Sequence, residues 1–268
     1  MKRQNELGRV AIKAARAAGD IIMANVGTLT RADIETKSRS DFVTTVDKKS
    51  EECIINIIYD HFPDHKIYAE ESLRQAAGGY RWIIDPLDGT TNYIHGVPIF
   101  SVSIGVQYKG DIILGVVYDP TRDELFYAEK GEGAFLNGRT IRVSSLEQPE
   151  LALLATGYPF RMKEHLDLYQ ESFKRLFLQV SGIRRAGSAA IDLCYVACGR
   201  FDGFWELGLH AWDIAAACII LAQAGGQMTD FDGGESMLET GNTIASNGKL
   251  HPVLLRTIKD VFNGVLDR

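Results

Sequence analysis

Along the first two dozen residues the apolar positions Leu7, Val10, Ala11, Ala14, Ala18, Ile21 and Ile22 recur at three- and four-residue steps. Such spacing gathers them on one helix face and predicts a helix over residues 4–26. A polar stretch follows and reads as a loop to about residue 40. A second helix is expected over 47–62, opened by Asp47 of the segment DFVTTVD, where an acid serves equally as an N-cap. The pattern then turns strand-like at 67–69 and 82–85, and again at 99–107, 111–119 and 123–129. YKGD and DPTRD join the last three as a meander, and GEGAFLNGRTIRVS adds a hairpin with Asn137-Gly138 at its tip. From about residue 150 strand and helix alternate, with helices near 163–178, 189–198, 212–224 and 251–265. A meander-rich first half and an alternating second half predict two intimately packed α/β subdomains, 1–148 and 149–268, sharing a cleft.

The chemistry concentrates in residues 81–95, RWIIDPLDGTTNYIH. Trp82, Ile83 and Ile84 form a short apolar run. Pro86 lacks a backbone donor, so regular pairing is expected to stop at Asp85. Asp85 and Asp88 then stand at a strand end with the Leu87 carbonyl between them. Two carboxylates and a carbonyl are an oxygen-rich set suited to Mg2+ rather than to Zn2+. Gly89 allows close backbone approach, and Thr90-Thr91-Asn92 start a short helix whose N–H groups suit a phosphate. Taken alone, the same residues read equally as an Asp-Pro turn followed by an Asp-Gly turn.

Other acids occupy comparable places. In HKIYAEES, Glu70-Glu71 ends a short strand. In LHAWDIAAACIILAQAGG, Asp213 heads an apolar helix that stops before Gly225-Gly226. Each has an ordinary explanation, a solvated loop in one case and a charge complementing the helix dipole in the other. The combination of these acids is harder to explain that way.

AEES, WIIDPLDGTTNY and HAWDIAAA, in this order and separation, resemble the magnesium-dependent, lithium-sensitive phosphatases of the inositol monophosphatase family. The resemblance runs from residue 41 to about Gly225 and favours the bacterial and archaeal members over the longer bisphosphatase branches. It implies a layered αβαβα sandwich of the sugar-phosphatase type. It also implies two to three Mg2+ ions: Glu70, Asp85 and the Leu87 carbonyl on the first, Asp85, Asp88 and Asp213 on the second, Glu70 near a weaker third. Asp47 and Thr90 would orient or deprotonate the attacking water, with Gly89 and Thr90 N–H groups on the phosphate. Gly187, Ser188 and Ala189 would line the substrate pocket, and Glu206 would bond hydroxyls of a small phosphorylated polyol or sugar. The implied reaction is direct in-line hydrolysis of a phosphomonoester, foremost inositol 1-phosphate. Fructose 1,6-bisphosphate and NADP stay open as substrates, as does a second role as a transcription- or ribosome-associated factor. A homodimer is expected because relatives usually form one.

Residues 182–198 also have a local reading, in which Ser188 caps a helix over 189–198 and Gly199 stops it. Arg184 and Arg185 could meet a second anion, although an arginine pair is more often a solvated face. His95 and His210 lie near the motifs but are left out of the metal set, since oxygen ligands suffice. With 46% apolar residues in 268, the chain can build a sizeable core. A net charge of −6 argues against nucleic acid as the direct substrate. Cys53, Cys194, Cys198 and Cys218 fall in apolar helical stretches and read as buried thiols. The polar start MKRQNELGRV has no apolar leader-like core and no run approaches a membrane span, so the expected location is cytoplasmic.

Overall fold

In the computed structural model, which describes residues 6–38, 41–74 and 79–266, helix α1 (Glu6–Ala24) buries Val10, Ala11, Ala14, Ala15, Ala18 and Ile22. That stripe packs against helix α2 (Thr45–His61) and against the first sheet. Thr44, not Asp47, is the N-cap of α2. Its side chain accepts the N–H groups of Val46 and Asp47, while Asp47 returns a carboxylate to the Thr44 N–H at 2.9 Å. Asp47 therefore sits inside the first turn, in the reciprocal arrangement of a capping box. The stretch expected to be loop holds an antiparallel hairpin of β1 (Ile34–Ser38) and β2 (Asp41–Thr44). Its residues lack the strict apolar alternation by which a half-buried strand is recognised.

Among the described residues the next strands form an eight-stranded sheet: β3 (Lys66–Ala69), β4 (Leu73–Arg74), β5 (Tyr80–Asp88), β6 (Ser101–Tyr108), β7 (Asp111–Asp119), β8 (Glu124–Glu129), β9 (Gly133–Leu136) and β10 (Arg139–Thr140). Its spatial order is β10-β9-β8-β7-β6-β5-β3-β4, antiparallel except where β3 runs alongside β5. The expected break at Asp85 does not occur. Asp85 pairs with Ser103 and Asp88 with Ser101, so β5 fits one extra residue into this interval. Pro86 falls inside that bulge, where no ladder donor is needed, and the strand carries on to Asp88.

After a short helix, α3 (Thr90–Ile94), and the meander, a second sheet of five strands is built from β11 (Leu153–Thr156), β12 (Gly182–Arg184), β13 (Gly203–Glu206), β14 (Gln227–Thr229) and β15 (Thr243–Ser246). Between them run α4 (Leu166–Phe177), α5 (Ala189–Ala197), α6 (Ala211–Gln223) and α7 (Met237–Thr240), with α8 (His251–Phe262) last. The α5–α6 pair lies between the two sheets, while α4 and α8 cover the outer face of the second. This is the αβαβα sandwich expected from the resemblance. Among the thiols Cys194 is buried and Cys53, Cys198 and Cys218 are only partly so.

One contact fixes the position of α6. Gly105 of β6 and Gly115 of β7 face each other in register, beneath the Ala215-Ala216 turn of the helix. A Cβ on Gly105 would lie 3.1 Å from the Ala215 Cβ, and one on Gly115 would lie 2.2 Å from the Ala216 carbonyl oxygen. The helix backbone thus rests directly on the sheet backbone. Gly115→Ala is expected to cost roughly 1–3 kcal/mol, the scale of overpacking a rigid contact, read as a lower midpoint in chemical denaturation. An unchanged midpoint would show that α6 can lift away freely.

Candidate metal centre and active site

The bulged end of β5, the start of α3 and the N-terminal turns of α5 and α6 meet at one cleft of about 730 Å³. Asp85, 2% exposed, holds its carboxylate against the Leu87 N–H at 2.9 Å. Asp88 lies across the bulge. One of its oxygens accepts from the Ser188 hydroxyl at 2.6 Å and the Ala190 N–H at 2.9 Å, both in the opening turn of α5. Asp213, inside the first turn of α6, accepts the His210 N–H at 2.7 Å and is approached by Arg161 at 3.3 Å. The three carboxylates each present an oxygen within 4.8 Å of the others. Glu70 follows β3, held by its N–H on the Ile84 carbonyl, and lines the same cleft.

Asp47 stands behind this wall rather than on it. The Thr90 hydroxyl lies 3.0 Å from an Asp47 oxygen and 2.9 Å from the Leu87 carbonyl. A hydroxyl has one proton to give, so donating it to Asp47 leaves the carbonyl available to a cation. Gly89 has φ +93, and a Cβ there would meet the Ile99 and Gly187 carbonyl oxygens at 2.9 and 3.2 Å. That close approach brings the α3 turn against the segment carrying Gly187, Ser188 and Ala189, all on the cleft wall. Ser188 caps α5, accepting the Ile191 N–H, and gives its proton to Asp88. Glu206 ends β13 and faces Gly157, where any side chain would collide with the carboxylate.

Of the residues given a metal, catalytic, phosphate or substrate role by the resemblance, all but Asp47 line this cleft; Arg185 lines it too, and Arg184 does not. His95 and His210 are exposed outside the acid group. Thr156, Phe160 and Leu209 also line it without having been noticed, as do two charged side chains, Arg161 and Asp192. Arg161 sits in a loop with no recognisable motif. Asp192 did leave a signal, since it is a lone acid in the apolar helix AAIDLCYVA.

The sequence model of the Inositol monophosphatase family matches residues 3–262. The chain belongs to that family. It is 46% identical over 256 residues to "Nus factor SuhB" of Pseudomonas aeruginosa, covering 93% of this chain and 94% of that protein. The crystal structure of extragenic suppressor protein suhB from Bartonella henselae superposes with a TM-score of 0.91 at 40% identity, over 95% of this chain and 99% of that one. Thermotoga maritima IMPase superposes at 0.88 with 37% identity, over 96% and 98%. Family membership places the chain among phosphatases that are generally Mg2+-dependent.

The electrostatics of this inositol monophosphatase family member fit a divalent cation. Burial comes first among the causes that push Asp85 well above the usual carboxylate range, with Glu70, Asp88 and Asp213 adding repulsion. Burial and Asp213 raise Asp88 to about 7, against the hydrogen bonds from Ser188 and Ala190. Burial likewise raises Asp47 to about 6 and Glu206 to about 8. Such a group of oxygens is unfavourable while ionised and is stabilised by a hard cation. Asp85, Asp88 and Asp213 would hold it, with Glu70 and the Leu87 carbonyl in reach of the same cleft.

Folded-state values raised above unfolded ones mean that stability is fullest below the ordinary carboxylate range. It is then lost as pH climbs through about 6 to 8. EDTA-treated protein is therefore expected to melt at a lower temperature at pH 8 than at pH 5.5, and Mg2+ to raise the midpoint more at pH 8. Thermal melts at the two pH values check this, and an equal Mg2+ effect at both would contradict it.

Proposed function

We infer that the chain is a phosphomonoesterase for small phosphorylated polyols, with inositol 1-phosphate the expected substrate. The observation carrying this reading is the buried triad of Asp85, Asp88 and Asp213 beside the Gly89–Thr90 turn. When bound there, Mg2+ supplies charge neutralisation for the phosphate oxygens and activates the attacking water. Two to three ions are proposed, which Asp85, Asp88 and Asp213 would hold together with Glu70 and the Leu87 carbonyl. The division into residues 1–148 and 149–268 is kept as a proposal, one half on each side of the cleft.

The protein's own groups then divide the work. Asp47, raised to about 6, draws on the Thr90 proton, so that the Thr90 oxygen can take a hydrogen bond from the attacking water and orient it. Thr44 fixes the far oxygen of Asp47 through its N–H and hydroxyl, and so fixes the direction of that pull. Gly89 and Thr90 N–H groups hold the phosphate. Gly187, Ser188 and Ala189 form the adjoining wall, with the Ser188 proton spent on Asp88. Glu206, at the end of β13, reads hydroxyls of the leaving alcohol. No helix among the described residues is long and apolar enough to cross a membrane, which agrees with the proposed cytoplasmic location.

A second reading is favoured by the printed name of the Pseudomonas aeruginosa relative, "Nus factor SuhB". On that reading the chain also binds a component of the transcription machinery. A net charge of −6 favours a protein contact over direct nucleic-acid binding. Affinity capture from lysate that recovers no transcription component would reject this role.

The enzymatic reading is tested by phosphate release from inositol 1-phosphate, fructose 1,6-bisphosphate and NADP in Mg2+, with and without Li+. Release from inositol 1-phosphate is expected to be fastest, to stop in EDTA and to fall in millimolar Li+; activity that survives EDTA would remove the metal scheme. Asp88→Asn is expected to lower kcat about a hundredfold or more, given the several kcal/mol that a correctly held cation supplies. Circular dichroism should show an unchanged fold. Near-normal turnover would take Asp88 out of the metal set.

A further inference from the structure

Asp192 lines the cleft at 1% exposure and has no part in the scheme above. It lies one turn beyond Ser188, the N-cap of α5, and both residues line the cleft. Ser188 reaches Asp88, whereas Asp192 Oδ1 is buried with no hydrogen-bond partner. Its neighbours Ile191, Leu193 and Cys194 are buried and apolar. An apolar side chain at 192 would continue that pattern and avoid burying an unpaired oxygen. A group that costs stability where it sits is accounted for when a ligand brings the missing partner.

Its surroundings identify the ligand's chemistry. Helix α5 packs on β13, whose last residue is Glu206. Asp192 and Glu206 both line the cleft, and after burial the Glu206 charge is the largest influence raising the Asp192 carboxyl. The carboxylate triad and the Gly89–Thr90 turn belong to the part of the cleft that suits phosphate and cation. Two buried carboxyls beyond it can accept hydrogen bonds from two hydroxyls. The rim beside them carries the Arg185 guanidinium, set over the Tyr158 ring.

We propose that Asp192 is a specificity-determining residue that accepts a hydrogen bond from the leaving alcohol, so that the cleft selects phosphomonoesters whose alcohol keeps at least two free hydroxyls. This rests on the phosphatase reading and adds to it a residue that discriminates among esters.

The test compares wild type, Asp192→Ala and Asp192→Asn in Mg2+ on inositol 1-phosphate and on p-nitrophenyl phosphate, whose leaving group has no spare hydroxyl. Calorimetric binding of free inositol is measured alongside. Asp192→Ala is expected to raise KM for inositol 1-phosphate about tenfold or more, as for loss of a buried hydrogen bond, with p-nitrophenyl phosphate kinetics within about twofold of wild type. Asp192→Asn keeps a carbonyl acceptor and should recover most of the loss without a lower melting temperature. Equal losses on both esters, an unchanged KM, or an Asn variant that melts early would overturn the proposal. If wild type hydrolyses neither ester, the phosphatase reading falls by itself, and inositol binding then decides. Binding that Asp192→Ala loses supports the role of Asp192, and no binding, or binding equal in both, overturns it.

Discussion

Three carboxylates within 4.8 Å of one another repel strongly when water is excluded, and the site exists because the fold overrules that repulsion. Each acid is held by a different element. Asp85 is fixed by its own turn, Asp88 by the opening turn of α5, and Asp213 by the opening turn of α6. The N-terminal turns of α5 and α6 offer N–H groups and a favourable dipole to Asp88 and Asp213, which offsets part of the cost. The remainder is what a cation relieves. Stability and function therefore pull against each other here, and the surrounding layers supply the difference.

Two departures from regular structure impose the geometry. The bulge in β5 turns one strand end into two carboxylates with a carbonyl between them, where an unbroken ladder would send alternate side chains to opposite faces. The seat of α6 on Gly105 and Gly115 then sets the height and direction from which Asp213 arrives. Backbone against backbone leaves little slack, because neither surface has a side chain that can change rotamer. Thr44 does similar service for Asp47, capping α2 while holding one oxygen of the Asp47 carboxylate.

The cluster of acids was legible because its signals are local. Apolar runs ending at Asp-Pro, Glu-Glu and Asp-Ile-Ala mark acids at strand ends and helix starts, and those places are also where a protein can afford them. The long helices and the meander were legible for the same reason, namely sustained periodicity and turn chemistry. What escaped was decided by pairing across the chain. The β1–β2 hairpin has no apolar face to announce it, and Pro86 argued for a strand end because the bulge that accommodates it depends on β6. Asp47 lies three positions inside the helix it was expected to cap, because Thr44 holds the cap position. Arg161 comes to Asp213 from 52 residues away, a contact no local pattern reports.

The position of α6 has a bearing on how the molecule holds together as a folding unit. Its residues Ile214, Ala216, Ala217, Ile219 and Ile220 share one core with Val117, Phe126 and Ala128 of the first sheet, and with Phe204 and Ala245 of the second. A single helix thus serves as the common interior of two sheets drawn from different stretches of sequence. A fragment ending before α5 would leave the inner face of the eight-stranded sheet as an open apolar surface, prone to self-association. Assembly of the cleft and completion of the core are therefore coupled, because Asp88 takes its hydrogen bonds from the opening turn of α5 and Asp213 arrives only with α6.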